Sequence, residues 1–152
     1  IETGSSARIL ADTFQVQSVT GDGDSSLELV ASGRDSEAFE LGGVAVWNGS
    51  SLSLNLDVDF NATGLRVENG SSLYLSGEGS LNANEAFSLS FNSSIYVNNR
   101  QLSSTPEIDV QGATPVSFDY GAFVHRDVVL NNFPSLSNTD CAGVYVPQLC
   151  SP

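Results

Sequence analysis

Apolar and polar residues alternate one by one through the middle of this chain. In LSLNLDVDF (52–60), Leu52, Leu54, Leu56, Val58 and Phe60 fall on one side, with Ser53, Asn55, Asp57 and Asp59 on the other. LRV sets Leu65 and Val67 around Arg66, LYL sets Leu73 and Leu75 around Tyr74, and IYV sets Ile95 and Val97 around Tyr96. Alternation at two residues per period predicts strands buried on one face, and no window fits a helical period as well. Turn chemistry is predicted between them, at GDGD (21–24), SGRDS (32–36), NATG (61–64), ENG (68–70), SGEG (76–79) and VNNR (97–100).

The pattern repeats. A small residue, two serines and an aliphatic-x-aliphatic triplet occur as DSSLEL (24–29), GSSLSL (49–54), GSSLYL (70–75) and NSSIYV (92–97), at offsets of 25, 21 and 22 residues. A second element, GVAVWN (43–48), GLRVEN (64–69) and AFSLSF (86–91), runs just ahead of three of these copies. Two motifs keeping step at such a period mark a solenoid, because a single unit cannot bury its own apolar face. The expected fold is all-β, a parallel β-helix of about five coils with capped or docked ends. Its core ladders would be Leu27–Leu52–Leu73–Ile95, Leu29–Leu54–Leu75–Val97 and Val44–Leu65–Phe87. An antiparallel β-sandwich is the alternative, since its short strands also alternate. It gives no reason for two motifs to recur together. One domain is expected over 1–152: an N-terminal cap or first strand at 1–20, coils at 21–113 and a C-terminal cap at 114–152.

The repeat resembles the right-handed parallel β-helix superfamily, which includes pectin-lyase-like enzymes, phage tailspikes and adhesin passenger domains. The resemblance is one of architecture, covers roughly residues 12–113, and implies the handedness.

Composition narrows the partners. The net charge is −13, with 18 acidic residues against five arginines and no lysine. No basic patch can be assembled for phosphates, so nucleic acid and anionic membrane surfaces are poor partners. No apolar run reaches the length of a spanning helix, and no signal peptide or initiator Met is present, which reads as a processed chain. Cys141 and Cys150 enclose AGVYVPQL, and zinc would need more soft ligands than the single His125 supplies. A local disulfide is expected, and with it an oxidising, extracellular or cell-surface location. Sequons stand at Asn48, Asn61, Asn69 and Asn92, three of them at the punctuation of the repeat.

Candidate chemistry is sparse. Asp57 and Asp59 would share one strand face about 6.5–7 Å apart. That is near the separation in inverting glycosidases, yet both lack the distinct environments an acid–base pair needs. Asn138-Thr139-Asp140 resembles the first motif of polygalacturonases, but the further carboxylates, His-Gly and Arg-x-Lys of that family have no counterpart. Asp22 and Asp24, among glycines, are a weak candidate Ca²⁺ site; no other cofactor is expected. Trp47, Tyr74 and Tyr96 form a candidate contact face for a protein or a sugar. Ice binding is a third reading, with the irregular outward column Glu28, Ser53, Tyr74, Tyr96 against it. The function expected is that of a secreted, glycosylated structural or adhesive element, not an enzyme. It would assemble into a filament, sheath or surface appendage, or bind other matrix components. A carbohydrate-binding or carbohydrate-active module is the alternative.

Overall fold

The period-two alternation is realised as strands in the computed structural model, which describes residues 4–11, 15–21, 23–31, 39–56, 59–97 and 105–150. The strands are β1 (Ser6–Ala11), β2 (Gln15–Gly21), β3 (Ser26–Ala31), β4 (Phe39–Val46), β5 (Ser51–Leu56), β6 (Phe60–Val67) and β7 (Ser72–Gly77). They continue as β8 (Ser80–Leu89), β9 (Ser94–Val97), β10 (Glu107–Asp109), β11 (Val116–Phe118), β12 (Phe123–Val124) and β13 (Val129–Asn131). They stack in two sheets, A in the order β1-β3-β5-β7-β9-β12 and B in the order β13-β10-β8-β6-β4-β2. Every pairing between them is parallel. This is a β-solenoid and excludes the sandwich, whose neighbouring strands run antiparallel. The full Ser-Ser-aliphatic motif opens four rungs, β3, β5, β7 and β9, against about five coils expected. β1 and β12 extend sheet A beyond them.

All three expected ladders are present in register: Leu27↔Leu52↔Leu73↔Ile95, Leu29↔Leu54↔Leu75↔Val97 and Val44↔Leu65↔Phe87. Leu29, Leu52, Leu54, Leu65, Leu73, Leu75, Phe87 and Ile95 are buried, with Leu27 and Val97 packed at the margin. β5 and β7 each carry three outward residues between the inward ones, so one face of each strand supplies the core and the other the surface.

Sheet B bends. The register between β6 and β8 slips between Ala62 and Gly64, so Ala62 faces Ala83 while Gly64 faces Ala86. β10 continues the first half of β8 and β11 the second. This corrects the turn expected at NATG (61–64), which lies inside β6. There two residues of β8, the exposed Asn84 and Glu85, lie opposite the single Thr63 of β6, so the extra residue of the bulge belongs to β8 and β6 runs through NATG as a continuous strand. The nine-residue alternation of 52–60 is likewise two strands: β5 ends at Leu56 and β6 begins at Phe60, which is nevertheless buried. The boundary drawn at 113/114 falls within the stack, since β11, β12 and β13 pair in parallel like the rungs before them.

The chain passes from sheet B to sheet A through one recurring corner. Gly23–Asp24, Asn48–Gly49, Asn69–Gly70 and Phe91–Asn92 each hold two successive residues at positive φ, between 52° and 80°. Asn and Gly tolerate that left-handed region best, which is why NGSS recurs. Backbone hydrogen bonds tie corner to corner: Asp24 N–H to the Asn48 carbonyl, Gly49 to Asn69, Gly70 to Phe91, Asn92 to Tyr120 and Gly121 to Gly143. A buried residue follows each corner: Ser25, Ser50, Ser71, Ser93, Ala122 and Val144.

Candidate functional site

Tyr74 and Tyr96 project from neighbouring rungs of sheet A, in register, with ring centroids 5.4 Å apart and planes 20° from parallel. Phe123 continues the series, its ring 5.4 Å from Tyr96 and tilted by 40°. Rings stacked along the ladder cover one another's faces, which gains an aromatic contact of about 0.5–1.5 kcal/mol per pair. Tyr74 is the end of the stack, because the next residue in its column is Ser53. Beyond Ser53 lies a shallow hollow of about 460 Å³ lined by Ser6, Arg8, Ser26 and Glu28 as well. Its Arg8 guanidinium and Glu28 carboxylate are paired at 2.9 Å. Trp47, grouped with the two tyrosines from sequence, follows β4 of sheet B and is half-buried, with its indole N–H enclosed. The register places it in the corner series with Glu68, not on the tyrosine face.

The corners gather the sequons. Asn48, Asn69 and Asn92 are exposed at positive φ, and the Asn69 amide Nδ2 donates to Asn48 Oδ1 at 3.4 Å. Asn61 is different. It sits half-buried within β6, donating through Nδ2 to Glu40 at 2.9 Å and accepting at Oδ1 from Asn82 Nδ2 at 2.7 Å. Its amide is a link in an outward column of sheet B, Glu40–Asn61–Asn82–Asp109–Asn131.

The same corner carries two aromatic residues that sequence reasoning missed. Phe91 occupies the position of Asn48 and Asn69, at φ 52° and 55% exposed, and Tyr120 occupies the next rung at 69% exposed. The Tyr120 ring lies over Gly143, whose missing side chain leaves it room: a Cβ there would stand 2.6 Å from the ring. Asp119 precedes Tyr120, is exposed, and accepts the Tyr120 amide at 2.6 Å. The signal in the sequence was SFNSS standing where the other coils read WNGSS and ENGSS.

The remaining candidates are dispersed. Asp22 and Asp57 lie outside the described residues. Asp24 is exposed at its corner, with φ 53° and its carboxylate over Gly49. No group of three or more His, Cys, Asp or Glu that could hold a metal gathers among the described residues. Asp59 lies outside the strands, immediately before β6, where its carboxylate accepts the Ser80 amide at 2.9 Å. In Asn138-Thr139-Asp140 the aspartate closes a turn through reciprocal bonds with Ser137. The Ser137 hydroxyl donates to it at 2.6 Å and the Ser137 amide at 3.1 Å, while the Asp140 amide donates back to the Ser137 hydroxyl at 3.1 Å. Those bonds, the hydroxyl first, hold the Asp140 carboxyl below the usual aspartate range. His125 Nδ1 accepts the Asp127 amide at 3.2 Å, a local turn contact. Cys141 and Cys150 are positioned as a disulfide pair, with Cα atoms 5.7 Å apart, and Val144 and Val146 between them are buried.

The profile of one protein family, described as the B subunit of a discoidin-inducing complex, matches residues 6–145, from β1 through the bridge between Phe123 and Tyr145. No curated protein and no solved structure matches the chain.

Proposed function

We propose that this chain, which belongs to the family of the discoidin-inducing complex B subunit, is a structural, non-enzymatic component of a secreted protein complex. The observation that carries the reading is the extent of the match: it spans the stack itself, so the solenoid is what the family description calls part of a complex. The chemistry of the outer surface supports it. Outward residues are spent on amide ladders and stacked rings, as in Glu40–Asn61–Asn82 and Tyr74–Tyr96–Phe123, which make a regular surface for contact. Paired Cys141 and Cys150 support an oxidising compartment, and the exposed corner residues Asn48, Asn69 and Asn92 support glycosylation there. Isolation of the native protein without dissociation tests this reading. A particle well above the 16.0 kDa chain, containing at least one other polypeptide, is expected; an isolated monomer would overturn it. Head-to-tail stacking of this chain into a filament within such a particle is the finer form of the proposal, tested by electron microscopy of the particle.

One observation favours a second reading, as a carbohydrate-binding module. Tyr74 turns its uncovered side toward Ser53 and the polar hollow, the combination of ring face and hydrogen-bonding groups that a neutral sugar uses. A glycan array with Tyr74→Ala as control decides it.

A further inference from the structure

Phe91 is a bulky residue in a left-handed backbone conformation that its neighbours in the corner fill with Asn48 and Asn69. That conformation costs an L-residue with a full side chain more than it costs Asn or Gly. Such strain normally persists where packing over-determines it. Here the side chain is 55% exposed, so the interior of this chain does not supply the compensation. The next rung again sets a large aromatic at this place, Tyr120, 69% exposed over a glycine that makes room for its ring. Two large aromatics on successive rungs, on the face of a corner that elsewhere carries small polar residues, are a contact surface.

From this pair, and resting on the reading of the chain as part of a complex, we infer that the Phe91–Tyr120 corner is the docking site for a basic surface of a different polypeptide. Charge chooses the occupant. Exposed Asp119 adjoins Tyr120, and no cation pairs with it among the described residues. The nearby Glu68, in the same corner series, is already bound by Arg66 at 3.0 Å. An arginine or lysine from outside would meet the exposed Tyr120 ring beside the Asp119 carboxylate, with Phe91 on the preceding rung, a cation–π contact reinforced by an ion pair. A second copy is the wrong occupant, since two chains of charge −13 repel each other and each sets only five arginines against 18 acidic residues.

The test uses the native assembly with tagged chains exchanged into it. p-Benzoylphenylalanine at position 91 is irradiated and the cross-linked peptide sequenced; in parallel, Phe91→Gly/Tyr120→Ser, which adds no sequon, is compared with wild type for retention across a NaCl series. The expected cross-link is to an Arg- or Lys-containing segment of a different polypeptide. The double variant is expected to bind at least about 10-fold more weakly, in keeping with the loss of central aromatic anchors. Wild-type retention should fall steeply with salt. A cross-link to another copy of this chain, a cross-link confined within the chain, or a double variant retained like wild type would overturn the inference while leaving the reading as a complex component intact. Wild type that elutes alone would overturn both.

Discussion

Phe91→Asn, made in the isolated chain, separates a residue kept for the fold from one kept for a partner. A phenylalanine buries about 150–250 Å² when fully enclosed, and at about 25 cal/mol per Å² the somewhat less than half of Phe91 that is covered is worth about 2–3 kcal/mol at most. At 55% exposure even that is an upper bound, because unfolded chains already hide part of their apolar surface. Against it stands relief of the left-handed backbone, about 1–2 kcal/mol for a residue that tolerates φ 52° poorly. Asparagine there would also offer an amide to Asn69, continuing the bond that Asn69 already makes to Asn48, for about 0.5–1 kcal/mol. The opposing effects cancel, so the substitution should leave stability within about 1 kcal/mol of wild type. Phe87, four residues earlier and fully buried in the Val44–Leu65–Phe87 ladder, should lose about 3–5 kcal/mol on truncation to Ala. Urea unfolding followed by far-ultraviolet circular dichroism measures both, on unglycosylated protein because Phe91→Asn creates a new sequon with Ser93. A loss above about 2 kcal/mol for Phe91→Asn would show that the chain's own packing holds the phenylalanine, and the argument for an external partner would fail.

The buried serines make a contrasting pair. Ser71 Oγ is enclosed without a hydrogen-bond partner, so Ser71→Ala should be neutral or stabilising by about 1 kcal/mol in the same urea assay. Ser25 Oγ donates to Ser50 Oγ at 3.2 Å, so Ser50→Ala should destabilise by about 1–2 kcal/mol by orphaning a buried hydroxyl. For Asp140, whose carboxyl is held low by Ser137, the folded state binds its proton less readily than the unfolded state does. Its contribution to stability is therefore present above the unfolded value and lost as pH falls through the folded one; carbon-detected NMR titration should show a midpoint below the ordinary aspartate value, returning toward it in Ser137→Ala.

The ladders were legible because two constraints coincide in them. Leu52, Leu54, Leu73 and Leu75 alternate within their strands, and GSSL fixes which leucine lies over which from coil to coil. Where only one constraint operates, the reading slips. NATG has turn residues but no turn, since β6 runs straight through it and the extra residue at that level is taken up by the partner strand β8, where Asn84 and Glu85 stand opposite Thr63. Asn61, a sequon by spelling, proves to be a link between Glu40 and Asn82 within the sheet, and only register reveals that. β12 and β13 are two and three residues long, too short to show a period at all. Phe91 and Tyr120 are departures from the repeat, and a departure has meaning only once the position it departs from has a known conformation and exposure.

The register also explains how so acidic a chain tolerates a parallel stack. Parallel strands bring each residue to within about 5 Å of its counterpart one coil away, so a column of carboxylates would repel along its whole length. No register pair of the described strands sets one carboxylate opposite another: Glu28 faces Arg8 and Ser53, Glu40 faces Asn61, and Asp109 faces Asn82 and Asn131. Amides are the natural spacers, since each can donate to an acid on one side and accept from an amide on the other, as Asn61 does. Repulsion is thus relieved within the sheets while the charge itself is retained on the surface, where it acts on whatever approaches. Exposed Asp119, beside the aromatic corner, is such a charge, and the whole chain's field favours a basic visitor there over a second copy of itself.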